Sequence, residues 1–154
     1  MKDKIEIKEM PRLEVAFVAQ TGHKGMGDAY EKLMKWAAPK GLLEHDNLKI
    51  ITIYHDSYKT TEPDKVRMSA CISIDQKVET NGEIGVTSID EGKCIVGHFE
   101  IQMQEFEKSW KSLFTWMSEN GYKKANRDPF EIYHNNFNEH PQKISLVDFC
   151  IPIE

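Results

Sequence analysis

The residue whose type and position best suit chemistry in this sequence is Glu131. It stands between two apolar residues, Phe130 and Ile132, and Tyr133 follows two positions later. Residues two apart on a β-strand share a face, so the carboxylate and the phenol should point the same way. A carboxylate beside aromatic rings attracts organic cations, and it can also act as a general base toward water. The sequence therefore indicates either a binding site or a hydrolytic site that includes Glu131.

The segment around Glu131 is the second copy of an internal repeat. Thr52 stands in the first copy where Glu131 stands in the second. The matching residues are Tyr54 and Tyr133, and Cys71 and Cys150, at an offset of 79, then Tyr30, Leu33, Trp36 and Gly41 with Trp110, Leu113, Trp116 and Gly121 at an offset of 80. A repeat of this length predicts two copies of one supersecondary unit. The carboxylate at position 131, which the first copy lacks at its matched position, is the first candidate for function.

Hydrophobic periodicity predicts one helix and a set of strands in each copy. Helices are expected over 26–37 and 103–120, with Gly41 and Gly121 just beyond their ends. Strands are expected at 12–20, 49–55, 66–74, 84–89, 94–101, 129–134 and 144–151. Each helix must cover a sheet, because one amphipathic helix cannot bury its own apolar stripe. The predicted fold is α+β: one domain over 1–154, with a tandem pseudo-two-fold repeat of about 7–75 and 83–153, an antiparallel sheet and one long helix per module.

Strand parity gives an expectation for the face that carries Glu131. The residues expected on the helix side of the sheet are Phe130, Ile132, Ile51 and Ile53. Those expected on the far side are Glu131, Tyr133, Thr52 and Tyr54. If the far face lines a seam between the two modules, it forms a pocket with aromatic walls and an acidic floor. Such a pocket suits flat or cationic organic molecules.

The composition argues against several classes of function. A net charge of -5 and a pI near 5.7, with no Lys or Arg run longer than Lys123-Lys124, argue against a nucleic-acid surface. The sequence has no apolar signal segment at its start and no stretch long enough to span a membrane, so a cytoplasmic location is expected. The three cysteines lie in apolar runs, and His55 and His134 have no third ligand at a suitable spacing. Neither a metal nor another cofactor is expected.

Each candidate side chain also has a purely structural interpretation. Glu131 could be an exposed strand carboxylate, which is the commonest fate of a glutamate. Tyr54 and Tyr133 could be packing residues with their hydroxyls at a rim. Phe99 is a candidate for the wall of a binding groove, and Trp110 fits either a pocket or the core stripe of its helix. The difference between the two copies favours the pocket interpretation of Glu131.

Two segments of the second copy carry a family resemblance. The run from Pro129 to Asn135, which follows the run from Trp116 to Tyr122, resembles the GyrI-like family. This family includes DNA gyrase inhibitory proteins and the effector-binding domains of AraC-type and MerR-type transcription activators. The similarity extends from about Ile7 to Ile153. It implies tandem SHS2-type modules with a small-molecule groove between them, and a pocket glutamate at Glu131 with Tyr133 beside it.

The residues and the resemblance together lead to three hypotheses of function. The first is the binding of a small lipophilic, aromatic or cationic molecule, as in an effector-binding domain without a DNA-binding segment of its own. The ligand-contacting residues would be Glu131, Tyr133, Tyr54, Phe99 and Trp110. The second is a hydrolase of strained electrophilic natural products, because some similar proteins act in this way, and Glu131 and Tyr133 would then be catalytic. The third is a protein-interaction role, with DNA gyrase or a regulator as the partner.

Overall fold

The computed structural model describes residues 4–57, 60–80, 82–136 and 139–154. Its strands are β1 (Lys4–Met10), β2 (Leu13–Thr21), β3 (Ile50–Tyr54), β4 (Arg67–Ser73), β5 (Ile84–Ile89), β6 (Gly92–Ile101), β7 (Phe130–Tyr133) and β8 (Ser145–Pro152). Its long helices are α1 (Met26–Ala37) and α2 (Phe106–Glu119). This is the α+β fold that the sequence predicts. In the described part of the chain, neither helix is long and apolar enough to cross a membrane.

The chain divides into two compact units. The first module is Pro11–Glu91, and the second module is Met1–Met10 together with Gly92–Glu154. Strands of the first module lie in the order β3-β4-β2-β5, and those of the second lie in the order β7-β8-β6-β1. Neighbouring strands within each module are antiparallel. Equivalent strands therefore occupy equivalent places, as expected for a repeated unit.

The pairing register repeats as well, at an offset of 79. The matched pairs are Thr52–Ala70 and Glu131–Phe149, followed by Tyr54–Met68 and Tyr133–Val147. Side chains alternate in direction along a strand, so a shared register means that matched residues point to the same face in both modules. A difference between the copies, such as Thr52 against Glu131, is thus a substitution at one structural position.

The first strand of each sequence repeat belongs to the module that is built mainly from the other repeat. β1 pairs with β6 from Lys4–His98 to Met10–Gly92, and β5 pairs with β2 from Leu13–Ile89 to Val18–Ile84. The repeat boundaries expected from the sequence, about 7–75 and 83–153, therefore do not match the compact units. Local apolar patterns predict that a strand forms, whereas its partner is chosen by long-range pairing that such patterns do not encode.

Helix α1 covers the sheet of the first module with small and branched side chains. Ala29, Leu33 and Ala37 recur every four residues, so they share one face of the helix, and all three are buried. The buried residues that they pack with are Ala16, Val18, Leu42, Ala70 and Ile72. Gly41, at φ 71°, ends the helical segment in the left-handed conformation that favours glycine.

Helix α2 covers the sheet of the second module and carries larger side chains. A capping box of Gln102 and Glu105, in a short 3-10 turn at Met103–Glu105, satisfies backbone groups just before the helix. Trp110 and Leu113 are its buried residues. The two helices thus hold equivalent leucines, Leu33 and Leu113, each with 0% exposure, but their other core contacts differ in size.

The helices cover the face that carries position 131, which corrects the predicted parity. Trp110 of α2 bonds to Glu131, and Tyr30 of α1 lies 2.7 Å from the Thr52 hydroxyl, so both strand positions face a helix. The residues expected there, Ile51, Ile53, Phe130 and Ile132, lie on the opposite face and are also buried, with at most 6% exposure. Both faces of these strands are buried. The positions of the apolar residues therefore could not show which face meets the helix.

Candidate functional site

Glu131 is a buried carboxylate held by two neutral donors. Only 1% of the residue is exposed. Trp110 donates its indole N–H to Oε1 at 2.7 Å, and Tyr133 donates its hydroxyl to Oε2 at 2.5 Å. These groups donate without carrying a positive charge, and hydrogen bonds to an ionised acceptor are stronger than those between neutral groups. The two bonds engage both carboxylate oxygens and fix the orientation of the side chain.

The aromatic cluster beside Glu131 is centred on Phe149, the cross-strand partner of Glu131. Phe149 stacks on Trp110, with ring centroids 4.3 Å apart and planes 3° apart. The other ring contacts in the cluster are Phe99–Phe149 at 4.9 Å, Phe106–Phe149 at 5.4 Å and Trp110–Phe114 at 5.9 Å. These centroid distances lie in or near the range in which aromatic pairs stabilise each other. The carboxylate is therefore placed against an aromatic wall.

Because Gly97 has no side chain, the aromatic cluster can occupy the space beside it. It pairs with Phe149, and a Cβ added to it would lie 2.6 Å from the Phe99 ring and 3.0 Å from Leu113 Cδ1. Both distances are inside van der Waals contact, so a larger residue would have to displace a ring or the helix. The matched position in the first module holds Val18. Packing around the rings therefore depends on the absence of a side chain at this position.

The structure brings four of the five predicted ligand-binding residues into the second module, on its helix-facing side. These four are Glu131, Tyr133, Phe99 and Trp110. Tyr54 lies in the first module, where its ring centroid is 6.4 Å from that of His23. Its place in a shared site stays a prediction, and so does the pocket at a seam between the modules.

Sequence reasoning missed two residues of this site, Gly97 and Phe149. Both could have been found by extending the offset of 79 along the strands, where Val18 becomes Gly97 and Ala70 becomes Phe149. The first module has Ala70 where the second has the large ring of Phe149, and it has Val18 where the second has Gly97. The volume lost at the glycine compensates for the volume added by the ring. Such a pair of compensating changes indicates repacking around a new group, which here is the Glu131 carboxylate.

Other reactive groups of the chain have structural surroundings. Burial raises the pKa of the Cys71 and Cys150 thiols, and it raises the pKa of Cys94 to about 11, so these thiols stay protonated and are poor nucleophiles. His55 bonds to Ser69 Oγ at 2.8 Å, and the equivalent histidine of the second module also bonds within its sheet. Among the described residues, no group of three or more His, Cys, Asp or Glu is arranged to hold a metal ion.

The arrangement around Glu131 can stabilise a positive charge. An ionised carboxylate that has been removed from water is costly, and a neighbouring cation offsets that cost. A cation placed between this carboxylate and the ring faces would be attracted to both groups, since the faces of aromatic rings attract positive charge. The same carboxylate could also accept a proton from water when an electrophile lies beside it.

Residues 3–154 match the family described as the GyrI-like small molecule binding domain. The chain is 27% identical over 114 residues to DNA gyrase inhibitor 2 of Dickeya dadantii, and the match covers 72% of this chain and 71% of that protein.

Several solved structures share the fold. The C-terminal domain of EcmrR matches with a TM-score of 0.81 at 18% identity, over 100% of this chain and 99% of that one, whereas this chain spans 57% of the EcmrR chain in its DNA complex. A hydrolase from Listeria innocua matches with a TM-score of 0.73 at 13% identity, over 98% of this chain and 92% of that one. SAV2435 bound to tetraphenylphosphonium matches with a TM-score of 0.58 at 10% identity, over 98% of this chain and 94% of that one.

Proposed function

The chain belongs to the GyrI-like small molecule binding family, and on that basis we propose that it binds a hydrophobic organic cation in its second module. Glu131 supplies the negative charge, and the rings of Trp110 and Phe149 supply the apolar wall. Tyr133, which is half-buried, lies at the rim of this site and hydrogen-bonds to the carboxylate. Phe99 contributes a further ring through its contact with Phe149.

The observation that carries this proposal is the environment of Glu131. A carboxylate with 1% exposure is expensive for a folded protein to keep, even with hydrogen bonds from Trp110 and Tyr133. A structural hydrogen-bond acceptor could be uncharged, as Thr52 is at the matched position of the first module. A buried negative charge among rings suits a ligand that carries a positive charge and large apolar groups.

A direct test is the titration of tetraphenylphosphonium into the protein, followed by calorimetry and by tryptophan fluorescence. This cation is a sensible probe because it accompanies a structural relative in the SAV2435 structure. The variant Glu131→Gln keeps the size of the side chain and removes its charge, so we expect affinity to fall by at least about tenfold. Affinity for an uncharged ligand of similar shape, such as tetraphenylmethane derivatives, should change much less.

The matched control for this experiment is Tyr30→Phe in the first module. It removes a hydroxyl that lies on the helix-facing side at the position equivalent to Trp110. We expect this variant to bind tetraphenylphosphonium like the parent protein. If Glu131→Gln binds the cation as tightly as the parent does, the carboxylate is structural and the proposal is wrong.

A hydrolase is the second candidate function, and the Tyr133–Glu131 pair favours it. The Tyr133 hydroxyl is 2.5 Å from Glu131 Oε2, so a carboxylate and a phenol are paired within proton-transfer reach. In this reaction Glu131 would take a proton from water while the hydroxide adds to an electrophilic carbon of the substrate, and the ester or strained-ring bond at that carbon would break as its departing atom takes the proton back from Glu131. Electrophilic esters and strained-ring compounds should then be turned over by the parent protein, and Glu131→Gln should abolish turnover because an amide cannot accept that proton.

An interaction with DNA gyrase is the third candidate, and it is suggested by the name of the relative from Dickeya dadantii. Adding the purified protein to a gyrase supercoiling assay tests it. Inhibition that persists in Glu131→Gln would place the interaction outside the Glu131 site.

A further inference from the structure

Four ionisable side chains form a row across the sheet of the second module. Glu6 Oε2 lies 2.6 Å from His98 Nε2, and Asp148 Oδ1 lies 2.6 Å from His98 Nδ1. Asp148 Oδ2 lies 2.9 Å from His134 Nε2. These four residues, here called the ion row, come from β1, β6, β8 and the position just after β7. The row therefore connects all four strands of this sheet.

The geometry of the ion row determines the protonation state of His98. A carboxylate oxygen accepts hydrogen bonds and has no proton to donate, so both ring nitrogens of His98 must donate. An imidazole that donates through both nitrogens carries two protons and a positive charge. A neutral ring would place a nitrogen lone pair against a carboxylate oxygen at 2.6 Å, which is repulsive.

The two carboxyl groups of the row are ionised. The hydrogen bond from His98 lowers the pKa of Glu6. Burial raises the pKa of Asp148, but hydrogen bonds and charges from His134 and His98 outweigh burial and leave that pKa below its ordinary value. The row thus alternates in charge from Glu6 to His98 to Asp148, and each contact in it depends on a proton being in place.

The ion row lies directly behind the Glu131 site. His98, Asp148 and His134 are chain neighbours of Phe99, Phe149 and Tyr133, respectively. Consecutive residues of a strand point to opposite faces of the sheet. A change in the spacing of the strands at the ion row is therefore also a change in the spacing of the rings and the phenol on the other face.

The first module has no such row at the matched positions. Gly85, Ala19, Ser69 and His55 stand where Glu6, His98, Asp148 and His134 stand in the second module. A hydrogen bond of 2.8 Å between His55 and Ser69 corresponds to the contact between His134 and Asp148. An open cleft of about 350 Å³, lined by residues that include Ala19 and His55, adjoins these positions. The charged row thus occurs in the module that has the buried glutamate.

We propose that the ion row is a proton-dependent support for the Glu131 site, and that doubly protonated His98 holds the strands in the spacing that binds ligand. The effect on ligand affinity rests on the proposed function, whereas the double protonation of His98 and its effect on strand spacing do not. Five charged or titratable groups lie around His98. They are Glu6 on β1, Lys4, which is the β1 partner of His98, Asp148 on β8, His134 after β7, and Glu100 two residues along β6. Loss of one proton from His98 removes a bond to either β1 or β8.

The sign of the pH dependence follows from these groups. Both carboxyl pKa values are lowered in the folded protein, so their contribution is present above the ordinary carboxyl pKa and is lost as pH falls through the lowered values. Loss of a proton from the His98 ring would remove one of its two donor contacts. Ligand affinity should therefore be lower when the carboxyl groups are protonated and when the His98 ring is neutral.

The first experiment needs no ligand. Nitrogen-15 NMR of the histidine side chains should give the imidazolium pattern for His98 at neutral pH, with its resonance assigned by its loss in His98→Ala. The indole N–H resonance of Trp110, which reports on the bond to Glu131, should shift with the same midpoint as His98. The indoles of Trp36 and Trp116 serve as internal controls. A neutral His98 ring at neutral pH would overturn the proposal.

The second experiment measures tetraphenylphosphonium affinity against pH. Affinity of the parent protein should fall by about fivefold or more at a pH at which the nitrogen-15 spectrum shows a neutral His98 ring. His98→Ala should bind more weakly at neutral pH and should lose this dependence, and it should still fold, because Ala19 occupies the matched position in the first module. His55→Ala is the control and should keep the parental profile. Identical pH profiles for the parent and His98→Ala would overturn the proposal.

The two proposals fail in different ways. If Glu131→Gln binds the cation as the parent does, the proposed function is wrong, and the coupling between His98 and the Trp110 indole still decides whether the row supports the site. If the indole of Trp110 does not follow His98 in the parent protein, the row is a static feature of the sheet and the inference is wrong, whatever ligand is bound.

Discussion

In the first module, Tyr30 donates its hydroxyl to the Ile51 carbonyl at 2.5 Å and lies 2.7 Å from the Thr52 hydroxyl. In the second module, at the matched register, Trp110 donates to the Glu131 carboxylate. The surroundings change together with this pair, because Val18 and Ala70 of the first module correspond to Gly97 and Phe149 of the second. A few substitutions on one backbone therefore separate an interior with a pair of hydroxyl groups from an aromatic site with a carboxyl group.

This difference indicates a division of roles between the copies. The neutral pair in the first module satisfies its own hydrogen bonds with uncharged groups, which is the less costly way to bury polar atoms. The second module places a carboxyl group in an equally buried position, since Thr52 and Glu131 are 2% and 1% exposed. Ionising a carboxyl group there would cost folding stability, which agrees with the proposed role of Glu131 in binding a cation.

The largest expected effect comes from placing the carboxylate in the wrong copy. Thr52→Glu would bury a charge beside Val18 and Ala70, where no indole donates to it, and should cost about 3–5 kcal/mol of folding stability. Urea denaturation at neutral pH measures this cost. The control Thr52→Val, which removes only the hydroxyl, should cost about 0.5–1.5 kcal/mol. A loss below about 1 kcal/mol for Thr52→Glu would mean that the first module can hold a charge as well as the second.

The two helices should contribute equally despite their different neighbours. Leu33 and Leu113 are both 0% exposed, so replacing either with Ala should cost about 2–5 kcal/mol. Parallel denaturation of Leu33→Ala and Leu113→Ala makes the comparison. If Leu113→Ala costs less than about 1 kcal/mol while Leu33→Ala does not, then α2 is peripheral and the modules differ in more than the site.

The helix donors should differ in importance between the modules. Trp110→Phe removes a donor from a buried carboxylate and should cost about 1–3 kcal/mol, whereas Tyr30→Phe removes one neutral hydroxyl and should cost about 0.5–1.5 kcal/mol. A double-mutant cycle of Trp110→Phe with Glu131→Gln should give a clear coupling energy. Additive effects in that cycle would show that the indole packs beside Glu131 without supporting its charge.

The smallest expected effect is a pH difference at matched strand ends. Asp56 accepts bonds from the side chain and backbone N–H of Arg67, which lower its pKa to about 2, while the matched residue, Asn135, accepts from the Leu146 N–H without a charge. The Asp56 contribution is therefore present above its ordinary pKa of 3.8 and lost as pH falls through about 2. Asp56→Asn should remove this acid-side dependence. The prediction would be contradicted if the free energy of unfolding of Asp56→Asn differed between neutral and acid pH by as much as that of the parent protein.

The sequence was most informative where local pattern decides structure. The helices, most strands, the repeat and the special position of Glu131 follow from periodicity and from comparing the copies, and the α+β fold is as predicted. The helix side of the central strands was predicted wrongly, because Ile51 and Phe130 are apolar and buried on the other face. Burial on both faces removes the contrast between apolar and polar residues that parity arguments need.

Features that depend on distant parts of the chain were not predictable in this way. β1 of the first repeat pairs with β6 of the second, and β5 of the second repeat pairs with β2 of the first. A local apolar pattern does not indicate which strand will be the partner. The contact of His98 with Glu6 follows from the pairing of β1 with β6, so the ion row was also invisible from sequence. Gly97 and Phe149 are different, because a full comparison of the copies at the strand offset would have revealed them.

The placement of β1 has a consequence for the protein as it is being synthesised. The first module is contiguous, so all of its strands have been synthesised once residue 91 has been added. β1 leaves the ribosome before its partner strand β6, because His98, which pairs with Lys4, follows it by 94 residues. At a synthesis rate of about 5–20 residues per second, this delay is roughly 5–20 s. During that interval β1 is a strand without its partner β6, and it can pair only after β6 has emerged.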